Sequence, residues 1–182
     1  MSKISQKEFT NTNGKKIIIR SALVKDAAML LKLTKEIIKE GPYMLHEPDE
    51  YKMTIKKQKD QIRNYSEKDS KLFLVADSKN YVVGYLTFIN GGLRRTKHMG
   101  YIGLFIKKEF RDKGIGARLM KELITWAKEN PGLEKLSLAV FSNNTRAFAL
   151  YKKMGFRPEG RCFKDVKVKG EYIDSILMYL FV

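Results

Sequence analysis

A short segment with two glycines, RDKGIGARL at residues 111–119, is the first candidate for chemistry. Basic side chains flank the glycines, the apolar strand-like run YIGLFI precedes them, and a helical pattern follows. When a tight glycine turn joins a strand to a helix, the backbone N–H groups of the turn and of the first helical turn converge where an anion binds. The segment is therefore a candidate phosphate-binding loop, to which Arg111, Lys113 and Arg118 add positive charge.

Two well-known nucleotide-binding loops do not fit this segment. The loop that binds nucleoside triphosphates ends in Gly-Lys-Ser/Thr, and GIGAR has neither the lysine nor the hydroxyl. The dinucleotide loop needs a third glycine, where this chain has Leu119, and an acidic residue that ends the next strand, whereas Glu134 precedes that strand. Two interpretations stay open: a loop that holds a pyrophosphate through backbone groups, or an ordinary strand-to-helix turn.

A second pattern, Asn-x-x-Ala-x-x-Leu-Tyr-x-x-x-Gly-Phe, runs from Asn144 to Phe156. On local grounds Asn144 is a good helix N-cap, and Tyr151 shares a helical face with apolar neighbours, which is typical of a core residue. Together with Arg-x-x-Gly-x-Gly-Ala at 111–117, however, the pattern resembles the GNAT superfamily of N-acetyltransferases. The resemblance is strongest over residues 99–156.

The resemblance implies an α/β (α+β) fold of the GNAT type, with a mixed central sheet of six to seven strands, helices on both faces and a splay between the two central strands. Acetyl-CoA is the expected cofactor and enters that splay. Strand residues then pair with its pantetheine arm, the glycine loop holds its pyrophosphate, Asn144 binds the pantetheine through its amide, and Tyr151 lies near the thioester sulfur. The cofactor-binding residues expected in this way are Leu104, Phe105, Ile106, Arg111, Asp112, Lys113, Gly114, Ile115, Gly116, Ala117, Asn144 and Tyr151.

Direct acetyl transfer needs a neutral amine, a polarised thioester carbonyl and a proton for the departing sulfur. An alkylamine with a pKa of about 10.4 must lose its proton at pH 7, which costs about 4–5 kcal/mol unless a base, a water chain or desolvation assists. A backbone N–H near Phe105 or Ile106 is the expected donor to the carbonyl oxygen. Tyr151 is the expected catalytic acid for the sulfur, since a phenol with a pKa of about 10 suits that task.

The sequence does not assign the group that accepts the amine proton. Ribosomal-protein N-terminal acetyltransferases share the second motif but carry a glutamate where this chain has Ala139. That departure weakens both a base at this position and a protein N-terminus as the acceptor. His98 and the carboxylates of the loop LHEPDE are the other candidates. The residues expected to bind the acceptor are Glu47, Asp49, Glu50 and His98.

Three kinds of function fit these observations. The leading expectation is a small primary amine acceptor, such as a polyamine, an amino-acid derivative or an amine antibiotic. The C-terminal segment resembles the ends of small-molecule and polyamine-type acetyltransferases, which supports the family but does not name the acceptor. A protein N-terminus or lysine is the alternative acceptor. A basic adaptor that binds acyl-CoA or nucleic acid without turnover is the non-enzymatic alternative, and the intact glycine loop, Asn144 and Tyr151 argue against it.

The elements that must position these residues follow from hydrophobic periodicity and turn signals. Helices are predicted over 24–40, where Gly41 and Pro42 end the pattern, and over 49–64, 115–127 and 143–155. Strands are predicted over 16–20, 71–76, 81–89, 99–107 and 135–141, followed by two C-terminal strands joined near Lys169 and Gly170. This order indicates a mixed α/β domain with at least one β-α-β crossover in its second half.

Composition sets the remaining expectations. The 182 residues are expected to form one acetyltransferase domain, 1–182, with a flexible polar lead-in at 1–14. The net charge of +16 favours polyanions, but the longest basic runs are pairs, so nucleic acid is not an expected partner. Cys162 is the only cysteine, and no metal site is expected. We expect a soluble cytoplasmic protein without a membrane partner, and the resemblance allows a homodimer.

Overall fold

The fold is given by a computed structural model that describes residues 3–41 and 43–182. The helices are α1 (Ala27–Glu40), α2 (Ile55–Glu67), α3 (Ile115–Lys128) and α4 (Thr145–Lys153). The strands are β1 (Lys7–Thr10), β2 (Lys16–Ser21), β3 (Lys71–Ser78), β4 (Tyr81–Asn90), β5 (Met99–Ile106), β6 (Lys135–Phe141), β7 (Arg157–Val168) and β8 (Glu171–Phe181). They form an eight-stranded sheet in the order β1-β2-β3-β4-β5-β6-β8-β7.

The sheet is mixed, which confirms the expected fold. Neighbouring strands pair antiparallel except β5 and β6, which are parallel and joined by a crossover through α3. Among the described residues eight strands are present where six to seven were expected, because Lys7–Thr10 pairs with β2 inside the segment expected to be a flexible lead-in. Phe9 on this strand packs against the core, which gives the polar segment a reason to join the sheet.

Helices cover both faces of the sheet, and β3 shows how. Leu72 and Leu74 belong to an apolar cluster with α3 and α4, whereas Phe73 and Val75 belong to a second cluster with α1 and α2. Because both faces are covered, β3 is buried along nearly its whole length and its sequence is a continuous apolar run. We call the two sides the α3 face and the α1 face.

The second helix begins at Ile55, not at Asp49 as the sequence predicted. Thr54 has extended backbone angles, and its hydroxyl accepts a hydrogen bond from the Lys57 N–H at 3.2 Å, which is the geometry of an N-cap. The acidic residues upstream form a turn, in which the Glu50 carboxylate accepts a hydrogen bond from the Glu47 N–H. They therefore do not start the helix.

The ends of α1 set its position against the rest of the chain. The predicted helix over 24–40 is a short 3₁₀ turn, Val24–Asp26, followed by α1. Gly41 closes α1 with a φ of 95°. Pro42, which was predicted to help end this helix, lies outside the described residues, as do Met1 and Ser2 of the predicted lead-in.

A buried ion-pair network anchors the start of α1. Arg20 on β2 donates hydrogen bonds to both carboxylate oxygens of Asp26, at 2.7 and 2.9 Å, and to Asp77 at 2.9 Å. The bonds to Asp26 are the main reason that the pKa of Arg20 lies above its ordinary value. The network joins the start of α1 to β2 and to β3, and the far end of this helix contacts the glycine loop through Glu40 and Arg111.

Candidate active site

The two central strands, β5 and β6, separate part of the way along their length. Their pairing covers Met99 with Lys135, Gly100 with Leu136 and Tyr101 with Ser137. Beyond this point β5 continues to Ile106 beside β4, and β6 continues to Phe141 beside β8. The strands therefore diverge into an opening, which confirms the splay that the resemblance implied.

Alternate residues of β5 direct their backbone groups into this opening. Val83 on β4 lies opposite Lys107, the residue after β5, and the Lys107 N–H donates to the Val83 carbonyl at 2.9 Å. Val83 and Lys107 are therefore a hydrogen-bonded pair. Hydrogen-bonded and non-hydrogen-bonded pairs alternate along antiparallel strands. Phe105 therefore bonds to β4, while Leu104 and Ile106 turn their N–H and C=O groups toward the opening.

This alternation corrects one expectation about the carbonyl donor. Phe105 directs its N–H at β4, and its ring stacks on Tyr85 on the α1 face with the ring centroids 4.6 Å apart. Ile106 keeps its N–H toward the opening, while its carbonyl accepts a hydrogen bond from Arg111 Nε at 2.9 Å. Of the two expected donors, Ile106 fits, whereas Phe105 contributes packing on the other face.

The glycine loop passes twice through left-handed backbone before α3 begins. Asp112 has a φ of 58° and Gly114 a φ of 78°. The first hydrogen bond of α3 runs from the Arg118 N–H to the Gly114 carbonyl at 3.0 Å. The N–H groups of residues 115–117 precede that bond and form the free N-terminus of the helix. The helix dipole there favours an anion by about 0.3–1 kcal/mol.

The two glycines of the loop serve different needs. A Cβ at Gly114 would meet no atom within 4 Å, so this position needs glycine for its positive φ. A Cβ at Gly116 would lie 3.0 Å from Cδ2 of Leu150 on α4 and 3.6 Å from Cδ2 of Leu104 on β5. Gly116 therefore lets the start of α3 approach β5 and α4 closely.

The charged side chains of the loop are engaged with the protein itself. The partners are Glu40 for Arg111, Arg146 for Asp112, Glu122 for Arg118 and the Glu109 carbonyl for Lys113. That the basic side chains of the loop meet an anion stays a prediction. Arg118 Nε lies 3.0 Å from Glu122 Oε1 but is buried without a hydrogen bond among the described residues. The backbone N–H groups of residues 115–117 are further donors of the loop, since they precede the first hydrogen bond of α3.

Asn144 serves the start of α4 and keeps a donor for another partner. Its Oδ1 accepts a hydrogen bond from the Ala147 N–H at 3.2 Å, which is the N-cap contact that local sequence predicted. The cap uses only the oxygen of the amide. The Nδ2 group therefore stays suited to the pantetheine contact that the resemblance implied.

Tyr151 is a buried phenol on α4, with 7% of its surface exposed. Its ring packs near Phe156, with the ring centroids 6.1 Å apart, and it belongs to the apolar cluster of the α3 face. Burial raises the pKa of Tyr151 to about 12. The group therefore keeps its proton at neutral pH and is suited to donate a hydrogen bond, not to act as a base.

Burial of Tyr151 has a measurable consequence for stability at alkaline pH. The phenol ionises near pH 10 in the unfolded chain but only near 12 in the folded protein, so the unfolded state loses its proton first. The free energy of unfolding is therefore expected to fall as the pH rises from 10 to 12, by up to about 2.7 kcal/mol from this group. Denaturant titrations of the wild type and Tyr151→Phe test this, because the variant is expected to lose a smaller share of its stability. Equal losses would contradict the assignment.

The loop between α1 and α2 carries the expected carboxylates at the protein surface. Glu47, Asp49 and Glu50 are exposed, and the Glu50 carboxylate accepts a hydrogen bond from the Glu47 N–H at 2.9 Å. Glu50 is therefore partly occupied by its own turn. These residues belong to the loop that joins α1 and α2, the two helices of the α1 face.

Sequence reasoning missed a set of hydroxyl groups beneath this loop. The Thr34 hydroxyl lies 2.9 Å from the Tyr85 hydroxyl, and both are buried. Tyr51 from the loop is half-buried, and its pKa is raised by burial while the Thr34 hydroxyl acts to lower it. Tyr85 in turn stacks on Phe105 of β5. One sequence signal for this set was available. The alternation of side chains along the strand-like run YVVGYLTFI places Tyr85 on a face of the sheet that helices cover.

His98 lies at the end of β5 opposite to Ile106. It immediately precedes β5, and its carbonyl accepts hydrogen bonds from the N–H groups of Glu134 at 2.7 Å and Lys135 at 3.1 Å. Eight residues of extended chain separate it from Ile106, which is about 26 Å. His98 is thus at the paired end of β5, and we leave it out of the proposed site.

In residues 3–41 and 43–182, no group of three or more His, Cys, Asp or Glu side chains is arranged to hold a metal ion. In the same part of the chain, no helix has the length and apolar character needed to cross a membrane.

Known proteins resemble this chain in sequence and in structure. The profile of the acetyltransferase (GNAT) family matches residues 34–156. An L-amino acid N-acetyltransferase of Escherichia coli (strain K12) is 32% identical over 105 residues, which cover 58% of this chain and 65% of that protein. The matched segment thus spans less than two thirds of that relative.

Solved structures give the same result. An acetyltransferase of the GNAT family from Streptococcus pneumoniae superposes with a TM-score of 0.88 at 27% identity, covering 91% of this chain and 99% of that chain. The yncA protein from Salmonella typhimurium, solved with its cofactor acetyl-CoA, superposes with a TM-score of 0.82 at 17% identity, covering 91% and 93%. The chain belongs to the GNAT acetyltransferase family. Acetyl-CoA is the acetyl donor of this family.

Proposed function

We propose that this chain is an acetyl-CoA-dependent N-acetyltransferase that transfers an acetyl group directly to a small primary amine. One observation carries the proposal: the opening between β5 and β6 lies beside a helix N-terminus whose N–H donors are free. An extended amide-bearing arm and a pyrophosphate need that combination of an open strand edge and a backbone anion site. The same residues therefore fit acetyl-CoA.

The proposed contacts assign a task to each group. The free N–H groups of residues 115–117 bind the pyrophosphate, and the backbone of Leu104 and the Nδ2 group of Asn144 bind the pantetheine amides. Bound acetyl-CoA supplies the activated acetyl group. The Ile106 N–H, facing the opening, donates to the thioester carbonyl oxygen and stabilises the negative charge that develops there.

Tyr151 is the proposed acid. Its Oη carries a proton at neutral pH, because burial raises its pKa to about 12. The same dry surroundings disfavour a free thiolate, so the phenol would donate first a hydrogen bond and then its proton to the departing sulfur. One of the two protons that the ammonium group loses would then return to the Tyr151 oxygen through water. No residue of the chain is proposed as the base, and the amine proton leaves to water at the rim.

The acceptor is proposed to be small and cationic in solution. The exposed Glu47 and Asp49 carboxylates attract an ammonium group to the α1 side, where Tyr51 is half-buried near Thr34 and the buried Tyr85 stacks on Phe105. The related Escherichia coli enzyme is named for L-amino acids, which supports a small acceptor. Ala139, in place of a carboxylate, gives no support to a protein N-terminus.

An amine panel tests the acceptor class. The rate of thiol release from acetyl-CoA is measured with L-amino acids, spermidine, an aminoglycoside, and peptides with a free N-terminus or a lysine. We expect saturable thiol release with at least one small amine and only background release with both peptides. Release with a peptide alone would contradict the small-amine proposal. Acetyl-CoA binding without release for any acceptor would favour the adaptor.

A further inference from the structure

Arg111, the first residue of the glycine loop, is held by side-chain hydrogen bonds on both sides. Its Nε donates to the Ile106 carbonyl at 2.9 Å, its Nη1 donates to Glu40 Oε1 at 2.9 Å, and its Nη2 donates to Glu40 Oε2. A two-bond contact between guanidinium and carboxylate is the strong form of ion pair. The two side chains are 19% and 23% exposed, so solvent weakens the pair only partly.

The pair connects three elements that border the proposed cofactor site. Glu40 is the last residue of α1, Ile106 is the last residue of β5, and Arg111 directly precedes the left-handed turns of the loop. A phosphate would have to compete for this guanidinium with a carboxylate that already takes two of its hydrogen bonds. The side chain is thus arranged to hold protein against protein.

We propose that Glu40 and Arg111 form a positioning pair, which fixes the backbone of the glycine loop before the cofactor arrives, and that the Arg111 side chain does not itself bind the pyrophosphate. This inference rests on the proposed role of the loop. It assigns the anion to the N–H groups of residues 115–117 and gives Glu40, a residue of the opposite face, a part in cofactor affinity.

The two possible roles of Arg111 predict opposite effects for Glu40. If Arg111 bound the pyrophosphate, removing Glu40 would free the guanidinium and tighten acetyl-CoA binding. If the pair positions the loop, removing Glu40 loosens the loop and weakens binding. Titration calorimetry with acetyl-CoA on Glu40→Ala, Arg111→Ala and the double variant distinguishes them.

The expected result is a loss of about tenfold in acetyl-CoA affinity for each single variant, since a charged hydrogen-bonded pair is removed. The double variant is expected to lose no more than either single variant, because both disable the same pair. Glu36→Ala is the matched control. Glu36 lies one turn earlier on α1 and forms a more exposed ion pair with Lys107 at 3.4 Å, so wild-type affinity is expected.

A second measurement separates positioning from general damage. Affinity for S-acetylpantetheine, which lacks the pyrophosphate, is expected to be the same in Glu40→Ala and wild type. KM for acetyl-CoA is expected to rise about tenfold while kcat at saturation holds. If Glu40→Ala does not fold, Glu40→Gln is used and is expected to weaken binding in the same direction.

Three results would overturn the inference. Tighter binding by the Glu40 variant would show that Glu40 competes with the cofactor for Arg111. Wild-type affinity in that variant would show that the pair does not position the loop. Absence of acetyl-CoA binding by the wild-type protein would overturn the proposed function as well, and this outcome is distinguished from the others because it needs no variant.

Discussion

Replacing Tyr151 with phenylalanine is expected to lower kcat by about 10²- to 10⁴-fold, which is the range that a positioned acid contributes. The affinity for acetyl-CoA is expected to change little, because the ring and its packing against Phe156 remain. Tyr151 is only 7% exposed, so water has little access to replace the lost hydroxyl at the sulfur. Thiol release at saturating acetyl-CoA gives kcat, and calorimetry gives the dissociation constant.

Tyr101→Phe is the matched control for this prediction. It removes the same hydroxyl from a tyrosine of β5 that is 58% exposed and lies where β5 and β6 are still paired. Wild-type kcat is expected. An unchanged kcat in Tyr151→Phe would remove the acid role, and an equal decrease in both variants would show that the effect is not specific to the site.

Replacing Gly114 with valine is expected to weaken acetyl-CoA binding by about 5- to 150-fold, the factor that corresponds to about 1–3 kcal/mol of backbone strain. Gly114 has a φ of 78°, which a β-branched residue strongly disfavours. Space is not the reason, since a Cβ would meet no atom within 4 Å. The loop is expected to relieve the strain by moving, and its N–H donors then no longer converge.

Gly132→Val is the matched control, because it introduces the same kind of backbone strain outside the proposed cofactor site. Gly132 has a φ of 86°, is equally free of neighbours and lies in the turn after α3. Both variants are expected to lose stability to thermal unfolding, whereas only Gly114→Val is expected to lose affinity in calorimetry. Wild-type affinity in Gly114→Val would contradict the assignment of this loop to the pyrophosphate.

Local features made much of the fold and of the loop predictable from sequence. A glycine that must adopt a positive φ, as at Gly114, and an asparagine that caps a helix, as at Asn144, act within a few residues of themselves. The same is true of the helical periodicity of α3. Strand β1 escaped prediction because Lys7–Thr10 is polar except for Phe9, so it gives almost no alternation.

The partners of several site side chains come from distant parts of the chain, and such long-range contacts could not be predicted from the sequence. Arg111 and Glu40 are 71 residues apart, and a basic residue in a glycine loop indicates a phosphate ligand until its partner is known. Thr34 and Tyr85 are 51 residues apart. His98 is close to Leu104 in sequence, yet the extended backbone of β5 places them near opposite ends of that strand.

A crystal structure of the protein with acetyl-CoA tests the central claim most directly. We expect the pantetheine arm to lie between β5 and β6 with hydrogen bonds to the Leu104 backbone, and the pyrophosphate to contact the N–H groups of residues 115–117. The Arg111 guanidinium is predicted to stay on Glu40. A cofactor bound outside the opening, or a pyrophosphate held away from the start of α3, would contradict it.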